Sequence, residues 1–108
     1  MNRRELKQRA DSFLRELTDR LSAFPRSEIA KWPDFPLAPN VALNVPEELA
    51  SYRFSLMKDA TPDGRIRVAV QRYRHRFLGI GQMTADGFFV DPNGTVTRFT
   101  QKDIWQVT

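Results

Sequence analysis

The residues best equipped for chemistry stand in one short run, Arg72-Tyr73-Arg74-His75-Arg76-Phe77, in which guanidinium groups alternate with rings. His75 is the single histidine of the 108-residue chain and there is no cysteine. A hydrolase of the triad type needs a base beside a nucleophile; here Arg74 and Arg76 disfavour the charged form of the imidazole and no thiol exists for it to activate. One histidine and scattered carboxylates offer no ligand cluster at metal-binding spacing. Glu47 and Glu48 are adjacent acids, but at a helix start they point in different directions and suit the positive end of the helix dipole. A glycosidase-type pair would have to be assembled by the fold from carboxylates distant in sequence. Gly79-Ile80-Gly81 lacks the third glycine and the following helix of a nucleotide-binding loop. The expectation is a noncatalytic chain with no cofactor and no metal.

The same run suits binding. Arg72, Arg74 and Arg76 on one strand face would grip phosphates while Tyr73, His75 and Phe77 stack on unpaired bases, as sheet-based readers of single strands do. With Arg65 and Arg67 upstream, residues 65–76 hold five cations and no acid. Exposed strand arginines also discourage edge pairing, and Arg72 has cross-sheet acids such as Asp59 or Asp91 within reach. Nucleic-acid binding through Arg72 to Phe77 is therefore the second reading. The first is a small binding module for a protein partner or for self-association, contacted through Arg65, Arg67, Arg72, Tyr73, Arg74, His75 and Arg76 or through an apolar surplus at Trp32, Phe35, Met57, Phe77 and Phe89. Small bacterial domains that join an amphipathic helix to an antiparallel sheet often act this way, an analogy of fold alone.

Composition sets the class. A chain of this length fits one domain with one core, spanning residues 1–108. Hydrophobic residues make up 41% and charged residues 28%, so the chain has the apolar content to fold throughout. The absence of cysteine suits a reducing cytoplasm. No apolar run reaches the length of a membrane span and the charged start Met1-Asn2-Arg3-Arg4 lacks a signal-peptide core, so no membrane contact is expected.

The elements follow from periodicity. Leu6, Ala10, Phe13, Leu14, Leu17, Leu21 and Phe24 recur every three or four residues and predict a helix over 3–24, stopped by Pro25. Its outer face alternates charges four apart, as in Glu5 and Arg9 or Asp11 and Arg15. Five prolines in 25–46 forbid long regular structure and predict an apolar strap, with one turn at 28–32 capped by Ser27. Asn44 and Glu47 predict a short helical turn over 46–50. From Tyr52 the period becomes two: Tyr52, Phe54 and Leu56 share one face. Thr61-Pro62-Asp63-Gly64 makes the turn into a strand from Arg65.

Within that strand Ile66, Val68 and Val70 share a face, but beyond Arg72 the less polar set becomes Tyr73, His75 and Phe77, so a bulge, a bend or a turn is expected. Residues 78–84 form a further strand, 85–87 a turn or bulge and 88–90 another strand. Asp91-Pro92-Asn93-Gly94 turns the chain into 95–99. Thr100 and Asp103 predict a capping box for a terminal helix over 101–107.

The whole is an α+β domain: an N-terminal amphipathic helix on a four- to five-stranded antiparallel meander sheet spanning 52–99, with a proline-rich strap and a short C-terminal helix. The expected core is Phe13, Leu14, Leu17, Leu21, Phe54, Leu56, Ile66, Val68, Val70, Phe88, Val90, Val96 and Trp105.

Overall fold

The computed structural model describes residues 2–32, 43–75 and 81–107, and the side chains of all of these except His75, Gly81 and Gln82. The long N-terminal helix, α1 (Arg3–Ser22), forms where the apolar stripe demands it. Asn2 caps it by accepting from the Glu5 amide at 2.8 Å, and it stops at Ser22, two residues short of expectation, because Ala23 and Phe24 turn toward Pro25. Ala10, Phe13, Leu14, Leu17 and Leu21 are buried on its inner face. Two of the acids are drawn to other elements, Asp11 to Arg72 and Asp19 to Arg98, while Arg9 lies 3.4 Å from Glu48 and, along the helix, 3.8 Å from Glu16.

A single turn, α2 (Arg26–Ile29), starts on Pro25 rather than Ser27. It is anchored by the Arg26 guanidinium, which donates to the Val90 and Asp91 carbonyls at 2.8 and 3.0 Å. Most of the proline-rich strap, residues 33–42 with Phe35, lies outside the described residues. A 3-10 turn follows at Glu47–Leu49. Pro46 is its cap and makes no side-chain bond, while Asn44 sits at φ 52, so the anticipated Asn44 cap does not form.

The sheet contains β1 (Arg53–Ala60), β2 (Ile66–His75), β3 (Gly81–Val90) and β4 (Val96–Arg98), all antiparallel in meander order β1-β2-β3-β4. Its two described hairpin turns have the chemistry their residues offer: Gly64 and Gly94 take φ of 87 and 89, a region open to glycine at no steric cost. Two expectations about the strands fail. β2 runs from Ile66 to His75 in unbroken register with both neighbours, with no bulge at Arg72. Alternation simply continues, so Arg72 and Arg74 follow Ile66, Val68 and Val70 on the α1 face. Ala85-Asp86-Gly87, expected as a turn, lies inside the continuous β3.

α1 covers one face of the sheet with a core of Phe13, Leu17, Leu21, Phe54, Leu56, Val68, Val70, Phe88 and Val90. The other face carries a smaller cluster, Ala69, Ala85 and Val107 with Met57, Phe99 and Ile104 against it. Here the terminal helix, α3 (Gln101–Gln106), is held by the predicted capping box: Thr100 Oγ1 accepts from the Asp103 amide and the Thr100 amide donates to Asp103 Oδ2 at 2.8 Å. Gln71 Nε2 donates to the Val107 carbonyl at 2.6 Å. Of the expected core, Val96 and Trp105 are exposed. Val96 lies on the three-residue edge strand, and α3 turns Ile104 and Val107 inward, leaving Trp105 outside. Among the described residues no helix is long and apolar enough to cross a membrane.

Candidate functional site

The cationic strand is largely consumed by the fold. Arg65 donates to Asp63 at 2.9 Å and lies over the Phe89 ring at 4.1 Å from its centroid. Arg67 holds Asp59, its cross-strand partner, through two guanidinium nitrogens, one at 2.8 Å. Arg72 is only 5% exposed; it reaches Asp11 at 3.2 Å and stacks on Tyr52 at 5.0 Å. Asp11 takes the role expected of Asp59 or Asp91. Arg74 also lies over Tyr52, at 5.3 Å. Tyr73 is half-buried on the opposite face, across from Arg53 and Met83. The side chain of His75 and all of Arg76 and Phe77 lie outside the described residues. Alternation thus separates what the run placed together: Arg65, Arg67 and Tyr73 on the α3 face, Arg72 and Arg74 on the α1 face.

The apolar surplus is also mostly spent. Trp32 and Phe89 are buried, Trp32 edge-on to Phe24 at 5.4 Å and Phe89 beside Phe99 at 5.0 Å, while Met57 packs on the second-face cluster. Their burial withdraws the support they gave to a docking surface. A different aromatic takes their place. Trp105 is 72% exposed on α3, and a signal for this was present in the sequence, since Ile104 and Val107 are three apart and define a face that Trp105 leaves.

Beside α3 runs a groove of about 410 Å³ whose lining includes Thr61, Asp63, Arg65, Arg67, Phe89, Lys102 and Asp103. Its charges are arranged in compensating order. Hydrogen bonds from Thr61 and Arg65 hold the Asp63 carboxyl below its usual range. The bond from the Thr100 amide, aided by nearby Arg65 and Lys102, does the same for Asp103. Asp59 raises the Arg67 guanidinium further above its already high value. The lining thus sets three cations, Arg65, Arg67 and Lys102, against two acids, Asp63 and Asp103, with Arg67 also paired to Asp59. At the far end of the sheet a second concavity, about 390 Å³, is lined by Ala50, Ser51, Tyr52, Arg53 and Tyr73.

Among the described residues no group of three or more His, Asp or Glu is placed to hold a metal ion. Of the adjacent acids Glu47 and Glu48, Glu48 accepts from Arg9. Comparison with protein-family models, with curated proteins and with solved structures gives no match to this chain.

Proposed function

We propose that the chain is a noncatalytic binding module, at home in a reducing cytoplasm, that docks a protein partner or a second copy of itself on the α3 side of its sheet. The observation that carries this reading is the 72% exposure of Trp105, on a helix whose Lys102, Asp103 and Gln106 line the groove beside Phe89. A tryptophan offers 150–250 Å² for burial, so covering the exposed part is worth about 3–4 kcal/mol before the costs of association. Tryptophan is among the residue types most enriched in binding hot spots. The single histidine, the lack of cysteine and the engagement of the groove's acids in ion pairs and caps support a noncatalytic role.

The test places a photocrosslinking phenylalanine analogue at position 105, and at exposed Arg15 on α1 as a control, in protein expressed in its own cells. The expected result is a discrete adduct from position 105 alone, either to another protein or to the chain itself. With that partner purified, Trp105→Ser weakens binding at least about 30-fold, the size of a hot-spot loss. Identical adducts from both positions, or an unchanged Kd for Trp105→Ser, would retire the reading.

A further inference from the structure

The end of the molecule opposite the α3 groove concentrates positive charge in a way neither the helix nor the strand shows alone. Asp19 of α1 is paired with Arg98, which lies level with Phe88 and Val68, whereas Asp11 is paired with Arg72. α1 therefore runs antiparallel to β2. Continued along the same direction, the first turn of α1 extends about 11 Å beyond Asp11 at 1.5 Å per residue, while Arg74 lies about 7 Å beyond Arg72. Arg53 pairs across to Tyr73 at this level. Arg3, Arg4, Lys7, Arg53 and Arg74 thus share one end, and the first four are exposed. Of the acids there among the described residues, Asp11 is taken by Arg72 and Glu48 by Arg9, leaving Glu5 and Glu47 to oppose five cations.

This arrangement opposes stability in two places. Arg3 and Arg4 occupy the first turn of α1, where the helix dipole disfavours cations. Arg72 and Arg74 bring two like charges to within 5.0 and 5.3 Å of one ring, Tyr52. The Nε of buried Arg72 has no hydrogen-bond partner, and among the described residues Arg74 has no carboxylate partner. An anion at this end would relieve both. The adjoining concavity, about 390 Å³, presents Ser51, Arg53 and Tyr73. Across the open end of the second face Arg53, Tyr73 and exposed Met83 form one row over three strands.

We infer that this end binds single-stranded nucleic acid: Arg53, Arg74 and the first turn of α1 take the phosphates, and Tyr73, extended by Met83, stacks on a base. Arg53 and Tyr73 reach this end from the second face and Arg74 with the first turn of α1 from the other, so the strand would cross the end of the sheet between them; a ring for stacking beside cations for phosphate is what single-strand recognition uses. A lipid surface would instead want an apolar wedge beside the charge, and the exposed face of α1 carries Glu5 and Glu16 in place of one. The site is distinct from the α3 groove, so each stands or falls by its own experiment.

The experiment is anisotropy of labelled 12-nucleotide mixed-sequence single-stranded RNA and DNA, titrated with the full chain at about 50 and about 200 mM salt. With four phosphates engaged, affinity falls about 50-fold over that range, from a slope of about −0.7 per phosphate. Arg53→Gln with Arg74→Gln lowers affinity at low salt at least about tenfold and flattens the slope by about 1.4. Lys31→Gln, an exposed cation beyond α2, changes neither. Tyr73→Leu costs a further factor of about ten at unchanged slope, because stacking is not ionic. Thermal midpoints of all variants confirm folding; if Tyr73→Leu is unstable, the double arginine variant against Lys31→Gln decides. No binding at low salt, or full binding by the double arginine variant, overturns the inference. So does equal affinity for dextran sulfate with no loss in Tyr73→Leu.

Discussion

Arg72 shows how a residue's role depends on what lies above it. On the chain it is one of three alternating cations; in the fold it is buried beneath α1, with Asp11 at 3.2 Å and Tyr52 against its plane. Its parity was legible, since Ile66, Val68, Val70 and Arg72 are evenly spaced by two. Its burial was not, because only a carboxylate from a remote helix makes a guanidinium tolerable there. The pair makes a prediction. Asp11→Asn strands the buried charge and lowers stability by about 1–2 kcal/mol, the lower end for a buried pair because Asp11 is partly solvated. Arg72→Met removes both the charge and its need for a partner and costs less. Urea unfolding of the two variants checks this; a larger loss for Arg72→Met would mean that the arginine acts through packing on Tyr52 rather than through its charge.

Among the elements, α3 depends most on a single local device. Thr100 and Asp103 were readable as a capping box, and the reciprocal bonds form. What the pattern did not reveal was orientation: with Ile104 and Val107 turned toward Ala69 and Ala85, Trp105 is carried outward. Asp103 gives α3 a pH dependence. Its carboxyl is held below the ordinary value of 3.8, chiefly by the Thr100 amide. A lowered folded-state pKa contributes stability that is complete above the unfolded value and lost as pH falls through the folded one. The expected outcome is that hydrogen-exchange protection of the Ile104 amide, which donates to the Thr100 carbonyl at 3.1 Å, declines below about pH 4 relative to Val68 in β2. In Asp103→Asn it is already reduced and shows no such step. Thr100→Ala lowers helix stability by about 1 kcal/mol. Protection that holds steady down to pH 2 would show that α3 is kept by its sheet contacts instead.

At the scale of the whole molecule, the two faces of the sheet are built on different principles. The α1 face is a core of large side chains interlocked with a long helix; the α3 face is a bed of small residues into which the C-terminal segment fits. Gly87 makes that fit. A Cβ there would stand under 3.0 Å from both the Val68 carbonyl oxygen and the Phe99 ring, and the Phe99 amide bonds back to the Gly87 carbonyl at 2.9 Å. Gly87→Ala is expected to destabilise by about 1–3 kcal/mol, as overpacked sites do. Adding Phe99→Ala recovers only part of this, because the carbonyl remains. Denaturant unfolding measures both, and a loss below about 0.5 kcal/mol for the single variant would mean that β3 can bend away from β2. The same glycine is why Ala85-Asp86-Gly87 looked like a turn: a strand glycine that admits a neighbouring ring carries the same letters as a bend.

What the chain determined by itself is what local periodicity encodes. The step of three and four set α1, the step of two set β1 and β2, and the Pro-Asp-Gly and Pro-Asn-Gly segments set hairpins that fold into a meander. Most of the buried residues on the α1 face follow from those patterns alone. Tertiary structure decided which acid meets which arginine, that β2 runs straight through Arg72, that Trp105 faces water, and that the start of α1 joins Arg53 and Arg74 at one end. These are properties of layers laid over one another, and charge pairing, covering and exposure depend on elements that are neighbours in space and strangers in sequence.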